Sequence, residues 1–224
     1  MKEPEDDAII TIVNPSFPSN TYVYRTAPGE CFVVDPGLDG ALVEQRLEEL
    51  GLTPRFVFCT HGHFDHVGSA APLQKKYGAR VFLHQNDVKL LRSANFLMMA
   101  FKLPHTIEQP SVEQVGDDFS IDVNGTELRF HSTPGHTAGS CLIEYGRTIF
   151  TGDTLYSRGV GLSRLPGEDF TMLRKSLRSI WNRFGDATHA YPGHGGSAEV
   201  GWIKQHNQAL LDFMNARELH QSDV

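Results

Sequence analysis

The sequence is poor in cysteine, basic clusters and long apolar runs. Its three cysteines, Cys31, Cys59 and Cys141, lie in or beside strand-like apolar segments without CxxC spacing, so we expect small buried side chains rather than a disulfide framework. No window approaches the roughly 18 apolar residues of a membrane span. With a net charge of −7 and no clustered Lys or Arg, neither a membrane nor nucleic acid is expected as a partner.

The first seven residues are mostly acidic and resemble neither a secretory signal nor a transit peptide. A cytoplasmic location is therefore the expectation. The chain has 224 residues, of which 40% are hydrophobic, enough for a sizeable core. Because both halves contain β-rich runs followed by strand-to-loop junctions, we predict a single domain, residues 1–224, built from two β/α halves. The oligomeric state is left open.

Short apolar runs alternate with amphipathic segments along most of the chain. Strands are predicted at 8–13, 21–25, 31–34, 55–59, 80–84, 119–123, 126–130, 141–145 and 148–150. Helices are predicted at 39–50, 69–77, 86–91, 168–184 and 199–217. Asn124-Gly125 favours a type I′ turn between two of the strands. This alternation indicates a layered α/β domain.

The segment 94–110 has no clean period. It contains Phe96, Met98 and Met99, side chains that adapt to varied ligands. Two interpretations stay open, a helix in the core or an apolar lid over a cleft. Under the second interpretation these three residues are candidate substrate contacts.

The densest group of chemically active residues is His61-Gly62-His63-Phe64-Asp65-His66. The apolar run before it predicts a buried strand, so the group begins where a strand ends, and Gly62 allows the chain to turn there. Loops at the carboxyl ends of strands project side chains into a common cleft. Neutral imidazoles together with a carboxylate suit a divalent metal such as zinc.

Three further strand-to-loop junctions, each rich in glycine, carry His136, Asp153 and His194. One metal needs four to six ligands, so seven residues of this kind suit two metals that share a bridging ligand. Asp35 also ends a predicted buried strand. We expect it to cap the following segment, with a supporting role behind the metal ligands as the alternative.

These motifs, in this order, resemble the metallo-β-lactamase superfamily from about residue 10 to residue 205. The resemblance implies a four-layer αββα sandwich with a dinuclear site of zinc, with iron or manganese as alternatives. It implies that the first metal is held by His61, His63 and His136, the second by Asp65, His66 and His194, and that Asp153 bridges them. Asp65 and Asp153 are the implied catalytic residues, which orient the attacking hydroxide.

Within the superfamily, Thr133–Ser140, Thr151–Leu155 and Pro192–Gly195 are similar to the short glyoxalase II-like hydrolases. This implies hydrolysis of S-lactoylglutathione or a related acyl thioester. The sequence departs from that group where a cation is common, because Leu162 stands there and Arg164 follows where Asp is frequent. Glutathione recognition is therefore in doubt, and Arg158 or Arg164 is a candidate replacement cation.

Alternative functions stay open. The superfamily's persulfide dioxygenases are similar in the histidine cluster but use one iron, which here would be held by His61, His136 and Asp153. Lactone hydrolysis and a non-catalytic metal-binding role are further alternatives. Phe64 and Tyr156 complete the candidate substrate contacts because they adjoin the implied ligands.

Overall fold

The computed structural model describes residues 8–163 and 165–216. Within them, twelve strands form two six-stranded sheets. In spatial order the first sheet contains β1 (Ile9–Val13), β2 (Asn20–Ala27), β3 (Glu30–Val34), β4 (Thr53–Phe58), β5 (Arg80–His84) and β6 (Val112–Val115). The second sheet contains β12 (Ala198–Glu199), β11 (His189–Pro192), β10 (Thr148–Gly152), β9 (Cys141–Tyr145), β8 (Thr126–Ser132) and β7 (Ser120–Val123).

Helices cover the outer faces of both sheets. They are α1 (Gly40–Glu49), α2 (Phe64–Val67), α3 (Ala70–Tyr77), α4 (Val88–Ala100), α5 (Phe170–Arg183), α6 (Val200–His206) and α7 (Gln208–Asn215), with a 3₁₀ turn at Gln85–Asp87. Val43 of α1 and Leu73 of α3 pack on the first sheet. Leu177 of α5 and Ile203 of α6 belong to the core that covers the second. None of the described helices is long and apolar enough to cross a membrane.

The space between the sheets is filled mainly by aromatic side chains. Along β3, Phe32 points into this space while its neighbour Val33 points toward the helices, and Phe58 and Val57 of β4 repeat the pattern. This follows from the two-residue period of a strand, which sends successive side chains to opposite faces. Both faces of these strands are therefore buried, and the predicted αββα sandwich is confirmed.

Two helical segments differ from the expectation. Residues 85–100, predicted as a short helix and an aperiodic stretch, form a 3₁₀ turn and one continuous helix, α4. Its buried stripe is narrow, consisting of Leu91, Ala94 and Met98, and exposed apolar neighbours conceal the period in the sequence. The predicted helix 199–217 is broken into α6 and α7 at Asn207.

Asn207 is buried and accounts for the break, because its side chain bonds both a helix start and a loop. Its Oδ1 accepts from Leu210 N at 3.2 Å, which caps α7, and from Gly159 N at 3.1 Å. Its Nδ2 donates to the carbonyls of Tyr156 and Gly159 at 3.1 and 2.9 Å. The residue therefore anchors the loop after β10 to the helical layer.

We expect Asn207→Ala to lower the free energy of unfolding by about 2–4 kcal/mol, because it removes a helix cap and leaves buried backbone groups unsatisfied. Urea denaturation measures this change. Asn215→Ala, at an exposed position of α7, is the control and should change stability by less than about 0.5 kcal/mol. Equal effects of the two variants would contradict the anchoring role.

Candidate metal centre

Three imidazoles converge in a first cluster, where the loop after β4 meets the loop after β8. His63 Nδ1 lies 3.1 Å from His61 Nε2 and 3.0 Å from His136 Nε2. A ring nitrogen offers one proton or one lone pair, so one nitrogen cannot bond both neighbours. The three nitrogens instead surround a common point, as the ligand atoms of a metal do.

Two of these histidines, His61 and His63, have a lowered pKa. Burial and the neighbouring imidazole of His136 lower the pKa of His63 to about 4. Burial, together with the surrounding histidines, also holds the pKa of His61 well below its usual value. Neutral imidazole is the form that binds metal, so His61 and His63 offer available nitrogen ligands at neutral pH.

A second cluster contains Asp65 and His66 from α2 and His194 from the loop after β11. Asp65 Oδ2 lies 3.4 Å from Nε2 of both His66 and His194. Burial alone would raise the pKa of Asp65, but the two imidazoles hold it well below its usual value. The cluster thus combines an ionised carboxylate with two imidazoles, a donor set that suits a divalent metal.

Asp153, at the end of β10, lies between the clusters. Its Oδ2 is 3.5 Å from His136 Nε2 and 3.4 Å from His194 Nε2, while its Oδ1 is 3.4 Å from His66 Nε2. Two of these buried atoms, Asp153 Oδ1 and His66 Nε2, have no hydrogen-bond partner among the described residues. Buried polar atoms are normally satisfied, and a bound metal would satisfy both. All seven side chains predicted as ligands are thus brought together.

Buried carboxylates behind the clusters fix the loops. Asp35 accepts from Thr60 N and Thr60 Oγ1 at 2.7 Å each, and His66 Nδ1 lies 3.0 Å from its Oδ2. The expected capping role is therefore wrong, and Asp35 supports a predicted ligand from behind, as the alternative had it. A carboxylate at Nδ1 selects the tautomer that leaves Nε2 for a metal.

Asp87 is a second buried carboxylate that fixes loops, here the two loops of the first cluster. The sequence analysis did not single it out. Its carboxylate accepts from Gly62 N at 2.8 Å in the loop after β4. It also accepts from Thr137 Oγ1 and Gly139 N, both at 2.7 Å, in the loop after β8. The available signal was weak, since Asp87 is only one more polar residue beyond a buried strand. Its hydrogen bonds hold two ligand-bearing loops in register.

A cavity of about 500 Å³ opens beside the clusters. Four of the residues proposed as substrate contacts line it: Phe64, Tyr156, Arg158 and Leu162. Met98 lies instead in the core with Phe64 and Ala94, and Arg164 lies outside the described residues.

Phe96 and Met99 are largely exposed and are not among the residues that line the cavity. Leu97 of α4 and Phe101, the residue directly after the helix, line the cavity instead. The segment therefore contributes a wall through different side chains than those expected. Sequence reasoning also missed Phe17, Val160 and Leu165 in the lining, because isolated apolar residues in loops carry no periodic signal.

Residues 15–198 match the sequence model of the metallo-β-lactamase superfamily. The chain belongs to this superfamily. Hydroxyacylglutathione hydrolase GloC of Haemophilus influenzae is 31% identical over 184 residues, covering 80% of this chain and 86% of GloC. The crystal structure of BLEG-1 B3 metallo-β-lactamase has a TM-score of 0.82 and 26% identity, covering 93% of this chain and 100% of that one. TTHA1623 in a di-iron-bound form has a TM-score of 0.78 and 28% identity, covering 88% and 98%.

Membership of the metallo-β-lactamase superfamily makes the clusters a candidate site for divalent metals. Three combinations of the seven side chains offer ligand atoms that all lie within 4.8 Å of one another. The matched relatives include proteins named as hydrolases, such as GloC, so the general class implied by the resemblance, a metal-dependent hydrolase, is confirmed.

Gly193 leaves room for this site. A Cβ there would lie 2.2 Å from Asp153 Oδ1 and 2.6 Å from His66 Cε1, closer than atoms pack. We expect Gly193→Ala to displace both ligands and to lower metal content, measured by elemental analysis of the purified protein. Gly196→Ala is the matched control, because its Cβ would meet nothing within 4 Å. Full metal content in Gly193→Ala would contradict this geometry.

The two clusters should respond differently to acid. Burial alone would lower the pKa of His194, but Asp153 and Asp65 raise it to about 10, whereas that of His63 is about 4. Below about pH 10 a metal must displace a proton at His194, so affinity in the second cluster falls as pH falls. His63 of the first cluster meets no such competition above about pH 5.

We therefore expect about two metals per chain near pH 8 and about one near pH 5.5, when the protein is dialysed at fixed free zinc. Elemental analysis gives the ratio. His194→Asn should hold about one metal at both pH values, because its second cluster is already impaired. Parallel loss of both metals in the wild-type protein would contradict the assignment.

Proposed function

We propose that this protein is a dinuclear metal-dependent hydrolase of acyl thioesters. The observation that carries the proposal is the position of Asp153, whose carboxylate lies between the two clusters beside a largely apolar cavity. Such an arrangement suits two metals that share a bridge. The similarity to GloC, named as a hydroxyacylglutathione hydrolase, supports a thioester as the substrate.

Two bound divalent metals, zinc by preference with iron or manganese as alternatives, would supply Lewis acidity and a water of lowered pKa. The protein's own contribution is orientation. Asp65 and Asp153 place carboxylate oxygens where an attacking water can donate hydrogen bonds and lose its proton. The departing thiol has a pKa of about 8.5, so it needs little assistance from a general acid. No side-chain nucleophile is required.

Tyr156 adds a hydroxyl to the cavity wall beside this centre. Its ring stacks on His194 with centroids 6.1 Å apart. Burial and the Asp153 carboxylate hold the pKa of Tyr156 well above its usual value, so the hydroxyl stays protonated. This hydroxyl has one proton, which it can donate either to the Asp153 carboxylate or to the carbonyl oxygen of a substrate.

A mononuclear iron dioxygenase is the competing enzyme class. It would use only His61, His136 and Asp153 and would give no role to Asp65 or His194, whose side chains also converge on the site. Lactone hydrolysis would use the same centre as thioester hydrolysis. Oxygen uptake with glutathione persulfide tests the first alternative, and turnover of a lactone panel tests the second.

The principal experiment combines metal analysis with a substrate panel. We expect about two metals per chain, and turnover of acyl thioesters that exceeds turnover of lactones. Asp153→Asn should reduce both metal content and turnover, because it weakens a ligand shared by the two clusters. His105→Ala, in an exposed loop, serves as the control. Metal-loaded protein that hydrolyses no thioester would overturn the proposal.

The cavity walls favour the acyl group over a charged thiol. Phe17, Phe101 and Leu162 contribute apolar surface, and Arg158 is the only lysine or arginine among the described residues of the lining. Glutathione carries two carboxylates, so its recognition depends on charge contacts. Each methylene of an acyl chain that is buried in the cavity contributes about 0.8 kcal/mol. Two or three methylenes therefore outweigh one exposed charge contact, which is worth about 0.2–1 kcal/mol.

We expect kcat/KM to rise with acyl length on a neutral thiol and to exceed that for S-lactoylglutathione. Leu162→Lys should shift the preference toward the glutathione thioester by about two- to fivefold, the value of one exposed ion pair. Leu42→Lys, at an exposed position of α1, is the matched control. The interpretation fails if the wild-type protein prefers S-lactoylglutathione by more than about tenfold, or if both lysine variants behave alike.

A further inference from the structure

The outward face of α4 is apolar and basic at the same time. Lys89, Arg92, Phe96 and Met99 recur every three or four residues, so they lie on one side of the helix, and all four are exposed. Phe96 is 70% and Met99 66% exposed, the two highest values among the large hydrophobic residues described. These residues form a strip about 15 Å long. We call this strip, together with Lys102, the α4 face.

The charge of the α4 face opposes that of the molecule. Lys89, Arg92 and Lys102 form no ion pair within residues 8–163 and 165–216, whereas the chain as a whole carries −7. A local basic patch with apolar anchors is complementary to an acidic partner, because opposite potentials steer association and fix the register of docking.

Lys102 is held in an unfavourable conformation at the end of the helix. Its φ is +57°. Its backbone N–H donates to Met99 O, and the backbone N–H of Leu103 donates to Met98 O, both at 3.0 Å. Glycine is the usual residue at such a helix end, because a side chain is disfavoured there. Lys102 also borders a second cavity with Met99 and Leu103. A residue with a side chain at such a position motivates a functional hypothesis for Lys102.

The α4 face adjoins the catalytic cavity. Leu97 of α4 and Phe101, directly after the helix, line that cavity. Phe101 packs edge-on against Phe17, with ring centroids 5.9 Å apart, at the cavity wall. A molecule that covers Phe96 therefore lies beside residues that form a wall of this cavity.

We propose that the α4 face docks an acidic protein that carries its acyl group as a thioester on a flexible arm, which enters the cavity past Phe101. This inference rests on the proposed thioester hydrolysis. Water breaks the C–S bond, its oxygen joins the acyl carbon, and the carrier leaves as a free thiol. A small thiol could not cover both the cavity and the strip. The two exposed apolar side chains, Phe96 and Met99, on an acidic chain are too few for membrane binding, which requires a broad apolar helix face.

The experiment uses an acyl carrier protein charged with an octanoyl group and, for comparison, octanoyl-pantetheine, the same thioester on the arm alone. We expect kcat/KM for the carrier to exceed that for octanoyl-pantetheine by about tenfold at low salt and to fall as salt rises. The variant Lys89→Glu/Arg92→Glu should abolish this advantage and leave turnover of octanoyl-pantetheine unchanged.

Two further variants control for unfolding and for bulk charge. Lys102→Gly removes a cation and relieves the strain, so it should lower the carrier advantage while the melting temperature stays equal or rises. The single reversal Lys89→Glu should also lower the advantage. Lys75→Glu, at an exposed lysine on α3, changes net charge by the same amount as Lys89→Glu and should leave the advantage intact.

The docking proposal is overturned if the carrier has no advantage, or if Lys75→Glu reduces it as much as the α4 variants do. Cosedimentation with phosphatidylglycerol vesicles that Lys89→Glu/Arg92→Glu abolishes would assign the face to a membrane instead. A dimer in sedimentation that Met99→Asp dissociates would assign it to a second copy.

If neither thioester is hydrolysed by metal-loaded protein, the proposed function fails. Docking is then tested separately by fluorescence anisotropy of labelled acyl carrier protein. Absence of salt-dependent binding would overturn docking as well, while binding that Lys89→Glu/Arg92→Glu abolishes would support it.

Discussion

The buried carboxylate of Asp35 is the constraint from which the arrangement of the centre follows. It receives two hydrogen bonds from Thr60 and contacts His66 Nδ1. It therefore fixes both the chain immediately after β4 and the imidazole ring of His66. Asp35 itself adopts a positive φ of 50°, which a residue with a side chain rarely does. These contacts offset the backbone strain and the desolvation of the carboxylate. Without them, the turn that presents His61 would lose two of the hydrogen bonds that fix its direction.

Other buried polar groups repeat this principle around the site. Asp87 joins the loop after β4 to the loop after β8. Asn20 donates to the carbonyls of Pro192 and Gly195 at 3.0 and 2.8 Å, and Tyr22 donates to the Pro192 carbonyl at 2.6 Å. Each ligand-bearing loop is therefore braced by a residue of another segment. These hydrogen bonds hold the ligand side chains in a preorganised geometry.

The alternation of strands and helices predicted a layered α/β domain, and the resemblance to the superfamily specified the αββα sandwich. The convergence of the ligand-type side chains could be predicted because strand ends and glycine-rich loops leave strong local signals. The Asn124-Gly125 hairpin was predicted for the same reason, and both residues have positive φ. What could not be predicted depends on tertiary packing. Phe96 and Leu97 are equally apolar, and only the rotation of α4 decides which one lines the cavity. The role of Asp87 likewise depends on two loops that are distant in sequence.

The ligand-type residues come from both sheets, His61, His63, Asp65 and His66 from the first and His136, Asp153 and His194 from the second. A metal ion held by either cluster is thus a cross-link between the two halves of the sandwich. Because the unfolded chain lacks this convergence, binding stabilises the folded state by mass action. The thermal stability of the protein then depends on the free concentration of metal around it. Metal starvation would weaken the union of the two sheets as well as the catalytic centre.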